Sequence, residues 1–132
     1  MPGEKPLPID VTPDFMQTVV LNFNSVVGTD QALFFCERDT VIDRASLVFT
    51  TGDGDDTYAL RHCTPTTAPG SGVLFTDVVT AVVANTPKHF TLVETTNIVP
   101  AGSFIALDLT QGGGSSTAKE GIIQLRIRTK RR

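Results

Sequence analysis

Residues 41–64 read VIDRASLVFTTGDGDDTYALRHCT, and this stretch decides the fold class. Two runs rich in β-branched and aromatic residues flank the Gly/Asp cluster TGDGDD, which is typical of a β-hairpin loop. In the first run Ala45, Leu47 and Phe49 occupy alternate positions, so they are expected to line one face of a strand. The opposite face is expected to include Ile42 and Val48, which makes it apolar as well.

Runs of the same kind recur along the rest of the chain and are separated by Gly, Pro, Asn and Asp. They are FMQTVVLNF, QALFFCE, VLFTDVVTAVVA, HFTLVET, SFIALDLT and GIIQLRIRT. The VLFTDVVTAVVA run is long enough to bend or split. About eight short strands with regular turn signals predict an antiparallel β-sandwich or barrel, and the eight-strand solution that we expect is a jelly roll.

The alternation also assigns side chains to faces in the last two runs. Within Gly121–Thr129 an inward apolar set alternates with an outward polar set that contains Arg126 and Arg128. The inward-facing residues of the two runs are expected to be Ile105, Leu107, Leu109, Ile123, Leu125 and Ile127. The other face of the SFIALDLT run carries Phe104, Ala106 and Asp108, which is unusually apolar for a solvent-facing surface. We therefore expect this face to meet another sheet or another subunit.

Composition bounds the class of protein. The chain has 132 residues, of which 40% are hydrophobic and 19% charged, and this suits one globular domain. Residues 1–14 contain four prolines, which forbid helix and central-strand roles, so we expect an extended arm followed by the jelly-roll domain at residues 15–132. No apolar run resembles a signal peptide or reaches membrane-spanning length, and this favours synthesis in the cytosol, without Sec export and without a membrane partner.

Charge is distributed unevenly along the chain. The formal net charge is −3, but residues 126–132, RIRTKRR, hold five bases and no acid. Because the remaining body is acidic, an extended nucleic-acid surface is not expected. Two interpretations of this basic end are possible. Arg126 and Arg128 are solvent-facing residues that discourage edge pairing, or the basic tail pairs with an acidic surface of a partner.

No pattern of catalytic or metal-binding residues emerges from the sequence. Asp53, Asp55 and Asp56 lack the remaining ligands of a calcium loop, so they are interpreted as a solvated hairpin tip. His62 and Cys63 are adjacent on a strand and should point to opposite faces, which prevents them from sharing a metal. The two cysteines, at positions 36 and 63, are interpreted as buried free thiols, with a bridge or a reactive thiol as the alternatives. No catalytic residue, metal or cofactor is therefore predicted.

Taken in order, the runs resemble the small jelly-roll decoration (cement) proteins of tailed-phage capsids. Three stretches carry the resemblance: VIDRASLVFTTGDGDDTYALRH, HFTLVETTNIVPAGSFIALDLT and GIIQLRIRTKRR. They lie within residues 40–132 and match by hydrophobic spacing. The resemblance implies a non-enzymatic protein, often a homotrimer, that binds the major capsid protein on the outer surface of a phage head and stabilises the mature shell.

Two groups of contact residues follow from this interpretation. The arm is expected to reach over capsid subunits through Pro2, Lys5, Pro6, Leu7, Pro8, Ile9, Val11 and Pro13. Contacts with a second subunit or with the capsid are expected at Phe104, Ala106, Arg126, Arg128, Arg131 and Arg132. Two other functions remain open: a receptor- or glycan-binding knob at a fibre tip, and a small trimeric enzyme of dUTPase-like β architecture.

Overall fold

In the computed structural model, residues 14–25, 30–50, 56–110 and 119–130 are described, and they fold into two antiparallel β-sheets packed face to face. Within these residues there are nine strands and one short 3-10 turn at Pro69–Ser71. The strands are β1 (Asp14–Ser25), β2 (Gln31–Cys36), β3 (Thr40–Phe49), β4 (Thr57–Cys63), β5 (Val73–Leu74), β6 (Lys88–His89), β7 (Ile98–Val99), β8 (Ser103–Thr110) and β9 (Lys119–Lys130). The first strand begins one residue before the expected domain boundary, and residues 1–13 lie outside the described part of the chain.

The strand order is that of a jelly roll. One sheet has the order β1-β9-β3, with β6 and β7 both paired to the far side of β3, and we call it the nine-centred sheet. The other sheet has the order β2-β8-β4-β5, and we call it the eight-centred sheet. Long strands that follow one another in sequence, such as β1 and β2 or β8 and β9, therefore lie in opposite sheets. This includes β3 and β4, so the prediction that they form a β-hairpin was wrong: β3 pairs with β9, and β4 pairs with β8. The predicted all-β antiparallel jelly-roll sandwich is confirmed.

The core between the sheets consists of the side chains that alternation assigned to it. The predicted core positions of β3, β8 and β9 are all buried, and they form one cluster with Tyr58, Leu60 and Phe75. Phe49 and Tyr58 meet edge to face, with ring centroids 5.0 Å apart. Each such side chain contributes about 1.5–3 kcal/mol when it leaves water, so this cluster is the main source of stability.

Ile42 departs from the prediction, because it belongs to the core and not to the opposite face. The pairing of β3 with β9 shifts register between Ile42 and Arg44, which marks a β-bulge at Asp43. The extra residue returns Ile42 to the side of Ala45, and its side chain is fully buried. The apolar spacing in IDRA, where Ile42 and Ala45 are three residues apart, is the sequence sign of this bulge.

Residues 73–84, the run that the sequence showed to be long enough to bend or split, do not form one continuous strand. Only Val73–Leu74 forms a strand, and isolated bridges at Thr76 and Val79 follow it. Side chains of this segment accept hydrogen bonds from neighbouring backbone amides. Thr76 Oγ1 accepts from the Leu60 amide, and an oxygen of Asp77 accepts from the Thr91 amide. The segment is therefore irregular. The HFTLVET run likewise contributes only β6 and one bridge.

Candidate functional site

The outer face of the eight-centred sheet carries the residues that were expected to meet a partner. The register places Phe104 between Phe35 and Cys63, and Ala106 between Ala32 and Arg61. Ala106 is fully buried, whereas Phe104 is half-buried. The two residues therefore lie on one face but in different surroundings.

The chain itself covers the centre of this face. Arg61 Nε contacts Asp108 Oδ2 at 2.7 Å, and its Nη1 donates to the Gly72 carbonyl at 2.8 Å. The 3-10 turn at Pro69–Ser71 packs against β4 and β8. Because this covering is intramolecular, the expectation that Ala106 contacts a second subunit needs correction: its side chain has no exposed surface to offer. The sequence placed Ala106 on this face but could not show that the loop after β4 folds over it.

Close packing fixes the position of that loop. A Cβ atom added to Gly72 would lie 2.3 Å from Cys63 Sγ and 2.6 Å from the His62 carbonyl oxygen, which is closer than real Cβ atoms approach. Asp30, whose Oδ1 accepts the Leu109 amide of β8 at 2.9 Å, also lies against the loop, since a Cβ atom added to Gly70 would lie 2.6 Å from its Oδ2. These contacts hold the loop against the sheet.

An apolar patch remains uncovered beside this loop, formed by Phe35 and Phe104; we call it the phenylalanine patch. Phe35 is 53% exposed on β2, the end strand of the sheet, and Phe104 is its cross-strand neighbour on β8. A half-exposed phenylalanine next to a second aromatic ring is typical of a contact surface. The sequence signal was the run LFFC, which is apolar on both faces.

Two of the predicted basic residues, Arg126 and Arg128, lie on the outer face of the nine-centred sheet, and they differ in exposure to solvent. Arg126 is exposed and its Nε lies 3.1 Å from Met16 Sδ. Arg128 is half-buried and forms a two-pronged ion pair with Asp43, with distances of 2.7 and 3.2 Å. The Asp43 bulge thus supplies the partner of Arg128, and sequence spacing did not reveal that pair. Arg131 and Arg132 lie outside the described residues.

A surface groove of about 870 Å³ follows β3 over the bulge. It exists because β6 and β7 each cover only two residues of β3, and the chain between them loops away. Its lining is mixed in charge, with Asp43, Arg44, Glu94 and Arg128. The lining is part polar and part apolar, and among its described residues no nucleophile is hydrogen-bonded to a base.

The side chains of Cys63 and His62 are directed at backbone groups. Cys63 Sγ lies 3.5 Å from the Pro69 carbonyl oxygen, and His62 Nε2 donates to the Thr96 carbonyl at 3.1 Å while its ring stacks on Phe75. Burial raises the pKa of both thiols, Cys36 and Cys63, and lowers the pKa of His62. Both cysteines are free, and His62 and Cys63 point to opposite faces as predicted.

Within the described ranges no group of three or more His, Cys, Asp or Glu side chains could hold a metal ion. Asp53 and Asp55 of the predicted hairpin tip are outside those ranges, and Asp56 is buried. The described residues contain no helix with the length and hydropathy needed to cross a membrane.

Two solved structures share this sandwich. A subunit of Bacillus endospore appendages, which form a family of disulfide-linked pili, matches with a TM-score of 0.51 and 15% identity over 90% of this chain and 89% of that chain. A chain from the structure of infectious bursal disease virus, Gx strain, matches with a TM-score of 0.50 and 14% identity. That match covers 89% of this chain and 32% of the viral chain, so the present chain spans about a third of the viral one. Neither a protein-family model nor a curated protein matches the sequence. At these identities the likeness establishes the fold.

Proposed function

We propose that this chain is a non-enzymatic structural protein of a phage virion, which binds the outer surface of the head as a homotrimer and stabilises the mature capsid. The observation that carries the proposal is the phenylalanine patch, an uncovered apolar surface on a domain whose described residues bring no catalytic pair together. The two structures that share its sandwich come from a pilus and a virus, which supports a role in assembly.

The mechanism would be multivalent attachment. Three copies, each with a phenylalanine patch, would contact several capsid subunits at once, so that modest individual contacts combine into stable binding. Protein that binds the mature shell in preference to its precursor stabilises that shell by mass action. The exposed Arg126 lies on the outer face of the other sheet, so it would attract an acidic surface at a second contact, separate from the one made by the phenylalanine patch.

A disulfide-linked, pilus-like assembly is less well supported by the cysteines of this chain. Cys36 and Cys63 are each only 2% exposed, and the burial that raises their thiol pKa values also keeps them from a neighbouring subunit. The fibre-tip knob gains support only from the surface groove over β3. Among the described residues that line the groove, Phe90 is buried and no Phe, Tyr or Trp ring is exposed for a sugar to stack on.

The direct test is co-sedimentation of the purified protein with expanded capsids that lack it. We expect saturable binding, and we expect Phe35→Asp to weaken it at least tenfold because the substitution places a charge in the phenylalanine patch. Val83→Asp is the matched control, since Val83 is 61% exposed on a loop away from the patch. Absence of wild-type binding, or equal binding by the two variants, would overturn the proposal.

A further inference from the structure

One lateral side of the sandwich is left open. β1 ends the nine-centred sheet and β2 ends the eight-centred sheet, and the two strands contact each other at the same side of the molecule. Among the described strands, none pairs with the second edge of either one. Each end strand therefore presents backbone groups that could accept a further strand.

β1 lacks the devices that usually protect an edge strand. All 12 of its residues pair with β9 in continuous register, without a bulge. The stretch from Phe15 to Ser25 contains neither a charged residue nor a proline. Its outer face exposes Met16 by 47% and Val20 by 56%. A long, uncharged, regular edge of this kind is suited to pairing with another segment.

The core is also incompletely closed along this side. Val19 and Leu21 of β1, with Leu33 and Phe34 of β2, pack against the buried cluster but are only partly buried themselves. An open pocket of about 280 Å³ lies at one end of this seam, where Phe34 of β2, Gln17 of β1 and Ile127 of β9 line it. Side chains from an added strand would therefore complete the seam between the two sheets.

We propose that the occupant of the β1 edge is the N-terminal segment, residues 1–13, of a second copy of this chain. The segment contains the alternating pattern PLPIDV, in which Leu7, Ile9 and Val11 are apolar and lie two residues apart. In an extended strand these three side chains share one face, and that face would cover the open seam.

The prolines of the segment fit a strand that pairs on one side only. In an antiparallel ladder a residue uses its N–H and C=O on the same side, and successive residues use opposite sides. Leu7, Ile9 and Val11 would thus direct their groups to β1, while Pro6 and Pro8 face away, where no donor is needed. The added strand would also end the sheet, because prolines block further pairing.

Pairing between copies is favoured over pairing within one copy. Only Thr12 and Pro13 separate Val11 from β1, and a two-residue hairpin loop requires Gly or Asn at positions of positive φ, which proline cannot adopt. At about 3.3 Å per residue the extended segment spans roughly 40 Å, enough to reach a neighbour. Donation from each copy to the next is a head-to-tail contact, which forms a ring when the rotation between neighbours closes, as the proposed homotrimer requires. This inference rests on the proposed homotrimer and gives it a mechanism.

Light scattering after size exclusion tests the exchange on the full chain. We expect wild type to have three times the monomer mass, and we expect Ile9→Asp to reduce it to the monomer mass, because a charge would enter the seam. Asp10→Asn, on the other face of the same segment, is the matched control and should leave the mass unchanged. A variant lacking residues 2–13 should also be monomeric, and a synthetic peptide of those residues should bind it.

A photo-cross-linker at position 9 identifies the acceptor. In a mixture of isotopically light and heavy protein, the expected cross-link joins position 9 of one copy to residues 16–22 of the other. A cross-link to β2 or within one copy, or an Ile9→Asp variant that keeps the wild-type mass, would overturn the inference. A cross-link to the major capsid protein on decorated capsids would assign the segment to the capsid instead. The two proposals can fail separately. If the wild type binds capsids but the Ile9→Asp variant keeps the wild-type mass, the exchange of segments is refuted and the proposed function is not.

Discussion

Removal of the ion pair between Arg61 and Asp108 should measure how firmly the loop after β4 is held over the eight-centred sheet. Their side chains are 25% and 19% exposed, and Arg61 also donates to the Gly72 carbonyl. In its exposure to solvent the pair is intermediate. Exposed ion pairs contribute about 0.2–1 kcal/mol to stability, and disruption of buried ones costs about 3–5 kcal/mol. We expect Asp108→Ala to cost about 1–2 kcal/mol and Arg61→Ala about 2–3 kcal/mol, because the second change also removes the bond to Gly72.

The assay is urea unfolding of wild type, both single variants and the double variant. The coupling energy should be about 1–2 kcal/mol, and each kcal/mol should lower Tm by about 4 °C in a domain of this size. Glu94→Gln, which removes one negative charge from an exposed side chain, is the control and should change stability by less than about 0.5 kcal/mol. A coupling energy indistinguishable from zero would refute the view that this pair holds the loop against the sheet.

Three further predictions concern single residues. Because burial lowers the pKa of His62 in the folded state, the unfolded chain binds more protons below about pH 6.5, and stability should fall with decreasing pH by up to about 1.4 kcal/mol per unit. His62→Gln should lose that component in urea titrations at pH 7.5 and 5.5, and an unchanged pH dependence would contradict the assignment. Gly121→Ala should destabilise the domain by about 2–4 kcal/mol in the same assay, since the new Cβ would lie 2.1 Å from the Val48 carbonyl oxygen. Finally, Cys36 and Cys63 should react with a thiol reagent such as DTNB only after unfolding, and rapid labelling of the native protein would show that one of them is accessible.

Local alternation was sufficient to predict the fold class and the core positions of three long strands. Strands β3, β8 and β9 are long enough for period-two patterning to assign their faces, so residues such as Leu107 and Leu125 were placed correctly. Alternation did not predict the structure where a local irregularity interrupts a strand. The bulge at Asp43 moved Ile42 into the core, and polar side chains between residues 73 and 84 took over the backbone bonds of a strand.

The sequence by itself determined which side chains could face the core, and it singled out Phe104 and Ala106 as an unusually apolar outer face. Only the tertiary structure decided what covers that face. Folding brings the loop after β4 back over Ala106 through Arg61 and Asp108, which are far apart in sequence, and leaves Phe104 beside the exposed Phe35. The same is true of the open edge at β1, because strand order depends on which distant segments pair. Alternation fixes the face of a residue within its own strand, but its neighbours across the sheet are set by long-range packing.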